Sequence, residues 1–225
     1  MGQTLVKDIE SGIRSDITRG VLAPAQPLRL EALKGRFDAG FSPIREALSR
    51  LLAEGLVELE PNRGFRVAAL SREDLLDIAI ARIAVETAAV RRAIELGDDA
   101  WEANLVGAMH HYRKLSSRDF GDHDTLIAWE QAHDALHAAM ISACGSQRLL
   151  IMQARFQEQH LRYRRLIVVP QVSGAAHIAE HERLIELVLS RDADSAARSI
   201  EQHMMITVDA LASAKYWSGV KGAAG

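Results

Sequence analysis

Cysteine is almost missing from this 225-residue chain, where Cys144 stands alone. A single thiol excludes an intramolecular disulfide framework and any zinc module built on several cysteines. Long apolar runs are missing too: none approaches the roughly 18 to 20 residues that span a bilayer. The opening MGQTLVKDIESG has no basic-then-apolar signal pattern and reads as the start of an amphipathic helix, so a cytoplasmic protein without a membrane partner is expected. Neither sign of charge dominates. The net charge is −3 and the isoelectric point is near 6.3, so any nucleic-acid role has to rest on a local patch. Histidine is absent from the first hundred residues, and all nine lie beyond them, from His110 to His203.

What is present is an ordinary globular balance, 48% apolar and 25% charged, in a length that suits one large domain or two small ones. Leu5, Ile9, Ile13 and Ile17 recur every fourth residue over 4–19 and predict a helix, with Val6 beside the stripe. Pro24 and Pro27 keep VLAPAQPL out of a helix. Residues 30–37 predict a short second helix. Ser42 as N-cap and Pro43 at the first helical position predict a third, which carries Ile44, Ala47, Leu48 and Leu51 to Gly55. LVELE and FRVAAL read as strands joined by Pro61-Asn62-Arg63-Gly64. Three helices followed by a hairpin is the winged helix-turn-helix order.

Beyond Leu70 the strand signals stop. Ser71 and Asp74 open a long helix to about Leu96, and five more are expected near 98–117, 124–143, 147–169, 174–190 and 193–213. The fold class is therefore mostly α. A winged helix-turn-helix occupies 1–70, an all-helical bundle of about six helices occupies 71–217, and 218–225 forms a frayed tail.

Residues 1–70 hold ten Lys/Arg against nine Asp/Glu, a balance of about +1 that leaves about −4 for the remainder. Placement has to decide what bulk charge does not. Arg45 and Arg50 lie on the third helix, Arg63 at the hairpin tip beside Gly64, and Arg29 and Lys34 flank the second helix. An arginine on a major-groove helix can grip guanine O6 and N7 bidentately, and one on a wing can enter the minor groove. The free amides between Ser42 and Arg45, Pro43 itself having no N–H, stand where a helix N-terminus receives phosphate. The same pattern is also met by a small helical domain whose Arg45 pairs with neighbouring glutamates.

His133 and His137, four apart, face the same way on one helix. His181 and His203 lie among apolar neighbours on two later helices. Any one of them reads most simply as a hydrogen-bonded core residue. Together they offer four imidazoles from three helices, and a bundle core is a usual place for such a metal site. Arg82 sits in an apolar stretch and needs either an anionic ligand or Glu86, four residues on. Arg162 and Tyr163 crowd one turn with further arginines, and His160 and His177 are lesser candidates for the same cavity. Arginine binds a carboxylate with a two-point fork, so a small carboxylate effector is expected there.

The segment FSPIREALSRLLAEGLVELEPNRGFRVAALS resembles the signature of GntR-type bacterial transcription regulators, through its PxREAL helix, its EGLV stretch and its PNRGFRVA hairpin. The next residues, REDLLDIAIARIAVE, resemble the opening of the helical effector domain of the FadR-like branch, called FCD. One departure is Gly40-Phe41-Ser42, where many relatives have Ser-Arg-Thr; operator sequence does not transfer. The resemblance implies a ligand-responsive repressor of a catabolic operon. It also implies a homodimer, built through the bundle, on a pseudo-palindromic double-stranded DNA operator. In that family the metal ligands are an Asp or Asn four residues before a His, then a His after Glu, then a His in the last helix. Here they correspond to His133, His137, His181 and His203, with His133 replacing the usual carboxylate or amide. A divalent transition metal, Zn or Ni, is implied, with Asp134 or Glu130 in support. The competing readings are a metalloenzyme of the helical-bundle type and a pure metal-sensing regulator. An enzyme has no need of the PxREAL helix and wing, and no general base is evident.

Overall fold

The computed structural model describes residues 2–118, 123–167 and 175–213. Its elements run α1 (Gly2–Thr18), α2 (Leu30–Phe37), α3 (Phe41–Ala53), β1 (Val57–Glu60), β2 (Gly64–Val67), α4 (Arg72–Leu96), α5 (Asp99–Ser116), α6 (His123–Ile141), α7 (Gln147–Ile167), α8 (Ala175–Leu189) and α9 (Ala193–Ser213). Residues 119–122 of the break expected at SSRDFGDHD, the break expected from Pro170 to Gly174, and the tail from 218 lie outside the described residues.

The chain divides into two compact units, and the division is not a single cut. Residues to Leu75 group with Glu158–Ile167, whereas Leu76–Gln157 group with the later helices. The boundary expected at 70 thus falls a turn later, and α7 is one helix whose two parts belong to different units.

In the first unit α1, α3 and the hairpin enclose a core of Val6, Ile9, Ile13, Ile17, Ile44, Leu48, Leu51, Leu56 and Val67. Leu5 is corrected from the expected stripe. It is 38% exposed while Val6 is 4% exposed, because Val6, Ile9, Ile13 and Ile17 keep the three-and-four spacing of a buried helix face. α3 also begins earlier than Ser42. Gly40 is the N-cap without a side-chain bond, so Ser42 and Pro43 lie inside the first turn, where a missing proline N–H costs nothing. The hairpin pairs Val57 with Val67 and Glu60 with Gly64, and Asn62 and Gly64 take positive φ in its turn. The proline-bearing segment adds a third extended edge: Leu28 N–H donates to Phe65 O at 2.8 Å and Val67 N–H to Gln26 O at 2.9 Å. Proline is tolerated there because an edge needs few donors.

In the second unit α5 packs on α6 and α8, and α8 on α9, around Trp101, Leu105, Leu136, Met140, Leu184, Val188 and Ile200. Trp101 Nε1–H reaches Ala139 O at 2.9 Å. Gly97 is required by this packing, since a Cβ there would lie 2.0 Å from the Trp101 ring. Cys144 is buried and free.

Candidate nucleic-acid interface and metal centre

α3 and the hairpin of the first unit border an open groove with a volume of about 780 Å³. Arg29, Arg45 and Arg63 line it, with Phe41, Leu59 and Gly64. Arg45 is exposed and has no ion pair among the described residues. Its availability follows from a local partition of charge. Glu46 is taken by Arg50 at 2.7 Å, and Glu54 by Arg14 at 2.5 Å. Arg50, unlike Arg45, is engaged within the protein: it is held by Glu46 and, at 3.5 Å, by Glu10 of α1. These bonds hold its guanidinium above its ordinary pKa, with Glu46 the main cause. Arg63 keeps a 3.0 Å pair with Glu60 yet remains 77% exposed at its side chain. Lys34 is exposed and lies 5.0 Å over the Phe41 ring. Because α3 starts at Phe41, the free amides at its N-terminus belong to Gly40, Phe41 and Ser42, two residues before the expected ones.

The four histidines come together in the second unit. His133 and His137 of α6, His181 of α8 and His203 of α9 are buried, and one ring nitrogen from each lies within 4.8 Å of the others. The architecture explains the convergence. A four-residue step on α6 puts two rings one above the other, 4.6 Å between centroids, and α8 and α9 each bring one ring from the apolar side. Tyr112 and Trp129 wall the cluster, Tyr112 lying 4.9 Å from His181 and Trp129 5.9 Å from His133. Trp129 is itself fixed by a 2.9 Å bond to Ser116 Oγ.

Each Nδ1 faces an oxygen. His181 Nδ1 bonds His177 O at 2.8 Å, His137 Nδ1 faces Glu86 at 3.6 Å, His203 Nδ1 faces Glu180 at 3.1 Å, and His133 Nδ1 faces Asp134 at 3.4 Å. The Nε2 atoms of His137 and His181 are buried without a hydrogen-bond partner. A buried unpaired nitrogen is costly, and a metal ion would satisfy it. Burial, then the neighbouring imidazoles, pushes His181 well below its ordinary value, so the neutral, ligating form prevails. Burial likewise lowers His203 against the pull of Glu180. These residues fit a divalent transition metal by donor type, protonation and second-sphere support.

Arg82 is buried and already has partners within the chain. Its Nε donates to Glu86 at 2.6 Å and its Nη2 to Gln157 at 3.2 Å, and Gln157 also accepts from Gln153. Burial raises the Glu86 carboxyl, but Arg82 and His137 more than offset that and bring it to about 2. Of the two partners expected for Arg82 the protein supplies Glu86, which corrects the anion site there, and the second oxygen of Glu86 lies 3.6 Å from His137 Nδ1.

Arg162 and Tyr163 are corrected in the same way. Arg162 donates to Ala68 O, and Tyr163 donates to Asp74 and accepts from Ser71 N–H at 3.3 Å. They belong with the first unit, as does buried His160. Burial pushes the Tyr163 phenol up and pulls Arg162 down. His177, in contrast, stands beside the cluster, 4.5 Å from His181. Glu180, next to His181 in the chain, faces both His177 and His203, and what sequence reasoning missed is that Glu86 lies beside His137.

Two family models match the chain: bacterial regulatory proteins of the gntR family over residues 5–67, and the FCD domain over 77–205. The HTH-type transcriptional repressor GlaR of Escherichia coli (strain K12) is 36% identical over 201 residues, 87% of this chain and 90% of that protein. The HTH-type transcriptional regulator BphR of Paraburkholderia xenovorans (strain LB400) is 34% identical over 210 residues, 93% and 86% of the two chains. Among solved structures, a GntR transcriptional regulator from Rhodococcus sp. RHA1 superposes with a TM-score of 0.74 at 17% identity, over 92% of this chain and 96% of that one. E. coli McbR/YncC gives 0.74 at 19% identity, over 96% and 98%. At these identities the two structures speak for the fold.

Proposed function

The chain belongs to the GntR family of bacterial transcription regulators, with an FCD domain, and from that premise we propose that it is a repressor of a catabolic operon whose helical unit senses a small carboxylate at a metal centre. It is a DNA-binding regulator, and its family and relatives are regulators rather than enzymes. Among the described residues no helix is long and apolar enough to cross a membrane.

DNA reading rests on the first unit. Arg45, free of the glutamates around it, reaches base edges from α3, while Arg63 and Arg29 meet the backbone or minor groove. A homodimer presents two such heads to the halves of a pseudo-palindrome. Sensing rests on one observation above the others: four buried imidazoles converge from three helices, and two of them have unpaired Nε2 atoms. His133, His137, His181 and His203 hold the ion, Zn or Ni, which when bound supplies a Lewis-acid centre for oxygen donors of a carboxylate. Glu86 and Glu180 hold the rings of His137 and His203 in register. His177 offers the effector a polar contact beside the cluster.

The carboxylate can change DNA affinity only by binding two conformations of the protein unequally. α7 contributes to both units, with Gln157 on the Arg82 side and Glu158 on the Arg14 side, 2.6 Å from it. A panel of mono- and dicarboxylates, tested for thermal shift on metal-loaded protein, checks the effector class. A compound that raises the melting temperature of wild type but not of His137→Ala supports it. Equal shifts in both proteins, or none with any carboxylate, oppose it.

A further inference from the structure

α8 carries more donors than the four-histidine set uses. His177, Glu180 and His181 stand at i, i+3 and i+4, on one face of the helix. His181 Nδ1 is tied back to His177 O, so its Nε2 is committed to the four-histidine set. The other two residues turn to a different point. Glu180 presents Oε2 to His177 Nδ1 at 3.5 Å and Oε1 to His203 Nδ1 at 3.1 Å. The rings of His177 and His203 lie nearly parallel, 5.7 Å between centroids. One donor atom from each of His177, Glu180 and His203 lies within 4.8 Å of the other two. Two imidazoles and one carboxylate make a donor set that transition metals take with further positions open to water.

We propose that the chain holds a second divalent-metal position, formed by His177, Glu180 and His203, that shares His203 with the four-histidine centre. The sharing is chemically possible because imidazole has two nitrogens. Nδ1 of His203 faces Glu180, and the bridging arrangement assigns its Nε2 to the first set. Filling both positions together removes the ring proton of His203 to solvent and leaves an imidazolate bridge. The first position has four buried nitrogen donors; the second has three donors, two of them partly exposed, so it is the weaker and fills later. The plain alternative is that Glu180 only orients the two rings as a hydrogen-bond acceptor. In that case its loss weakens the single ion and leaves the number bound unchanged.

The test is a zinc titration of the metal-stripped full-length chain against a chromophoric chelator, with stoichiometry read by native mass spectrometry. Wild type is expected to take two zinc ions, one tight and one weak. His177→Ala should lose the weak ion, or weaken it by at least about tenfold, and keep the tight one at wild-type affinity, whereas Glu180→Gln, which also removes a support of His203, should lose the weak ion and retain a tight ion of reduced affinity. A wild type that stops at one ion overturns the proposal, and so do variants that bind two ions with wild-type affinities. A His133→Ala, His137→Ala double variant separates this outcome from failure of the first site. If the four-histidine centre holds metal, the double variant loses the tight ion and retains the weak one. If its tight ion persists, the first assignment fails while the second stands on the Glu180 result. Circular dichroism of each variant accompanies the titration, and Glu180→Gln preserves shape at a partly exposed position.

Discussion

Arg82 and Arg162 illustrate how little a charged residue in an apolar stretch reveals by itself. Both read as anion binders in the sequence, because a buried guanidinium must be neutralised. The structure supplies Arg82 with Glu86 and Arg162 with a backbone carbonyl. The distinction depends on which groups other helices bring near, and no spacing within one helix encodes it. Arg45 is the opposite case: its neighbours Glu46 and Glu54 are already paired to Arg50 and Arg14. Arg45→Ala is therefore expected to abolish specific operator binding in a mobility-shift assay without moving the melting temperature, whereas Arg50→Ala leaves base specificity intact. Retained specific binding by Arg45→Ala would remove α3 from the reading role. Glu86→Gln tests the support of His137. Losing such a carboxylate should weaken metal affinity by about 10- to 100-fold, measured by chelator competition. Arg82→Ala acts differently, because it leaves the buried Glu86 charge without its cation and should cost about 3–5 kcal/mol in denaturant unfolding. A variant of wild-type stability would contradict the buried pair.

At the scale of elements, most of the order was legible. Helices with strong periodicity and clear breakers, such as α5 between Asp98 and Ser117, have nearly their expected limits. The start of α3 was displaced because serine followed by proline imitates an N-cap when the glycine two positions earlier holds that place. The third extended edge along β2 escaped notice because two prolines make VLAPAQPL look like an irregular loop, though an edge strand accepts them. The four-histidine set was recognisable from i,i+4 spacing and from likeness to a family. Glu86 was not recognisable as a support of His137, since that role arises from packing between helices. α7 yields the sharpest element-level expectation. Tyr163→Phe removes the bonds to Asp74 and Ser71 and should destabilise the chain by about 1–2 kcal/mol in denaturant unfolding, with metal content and carboxylate affinity unchanged. Weakened carboxylate binding in that variant would restore Tyr163 to the effector site.

For the whole molecule, the absence of histidine before residue 100 now has a physical reading. The histidine-free part carries the arginine-lined groove, and the metal-type donors gather in the other unit. The division is not clean in sequence, because Glu158–Ile167 return to the first unit. That return places one helix where a change near the histidines and a change near the reading head share a backbone. Removing metal with a chelator should therefore lower thermal stability and abolish any carboxylate response, while the unliganded protein still binds DNA. The most direct measurement is fluorescence anisotropy of a duplex, selected from random sequence by the protein itself, titrated with metal-loaded wild type and with a His137→Ala, His181→Ala variant. The account predicts that an active carboxylate weakens wild-type binding at least about tenfold, or about 1.4 kcal/mol, and leaves the variant unaffected. A full response in the variant would contradict it.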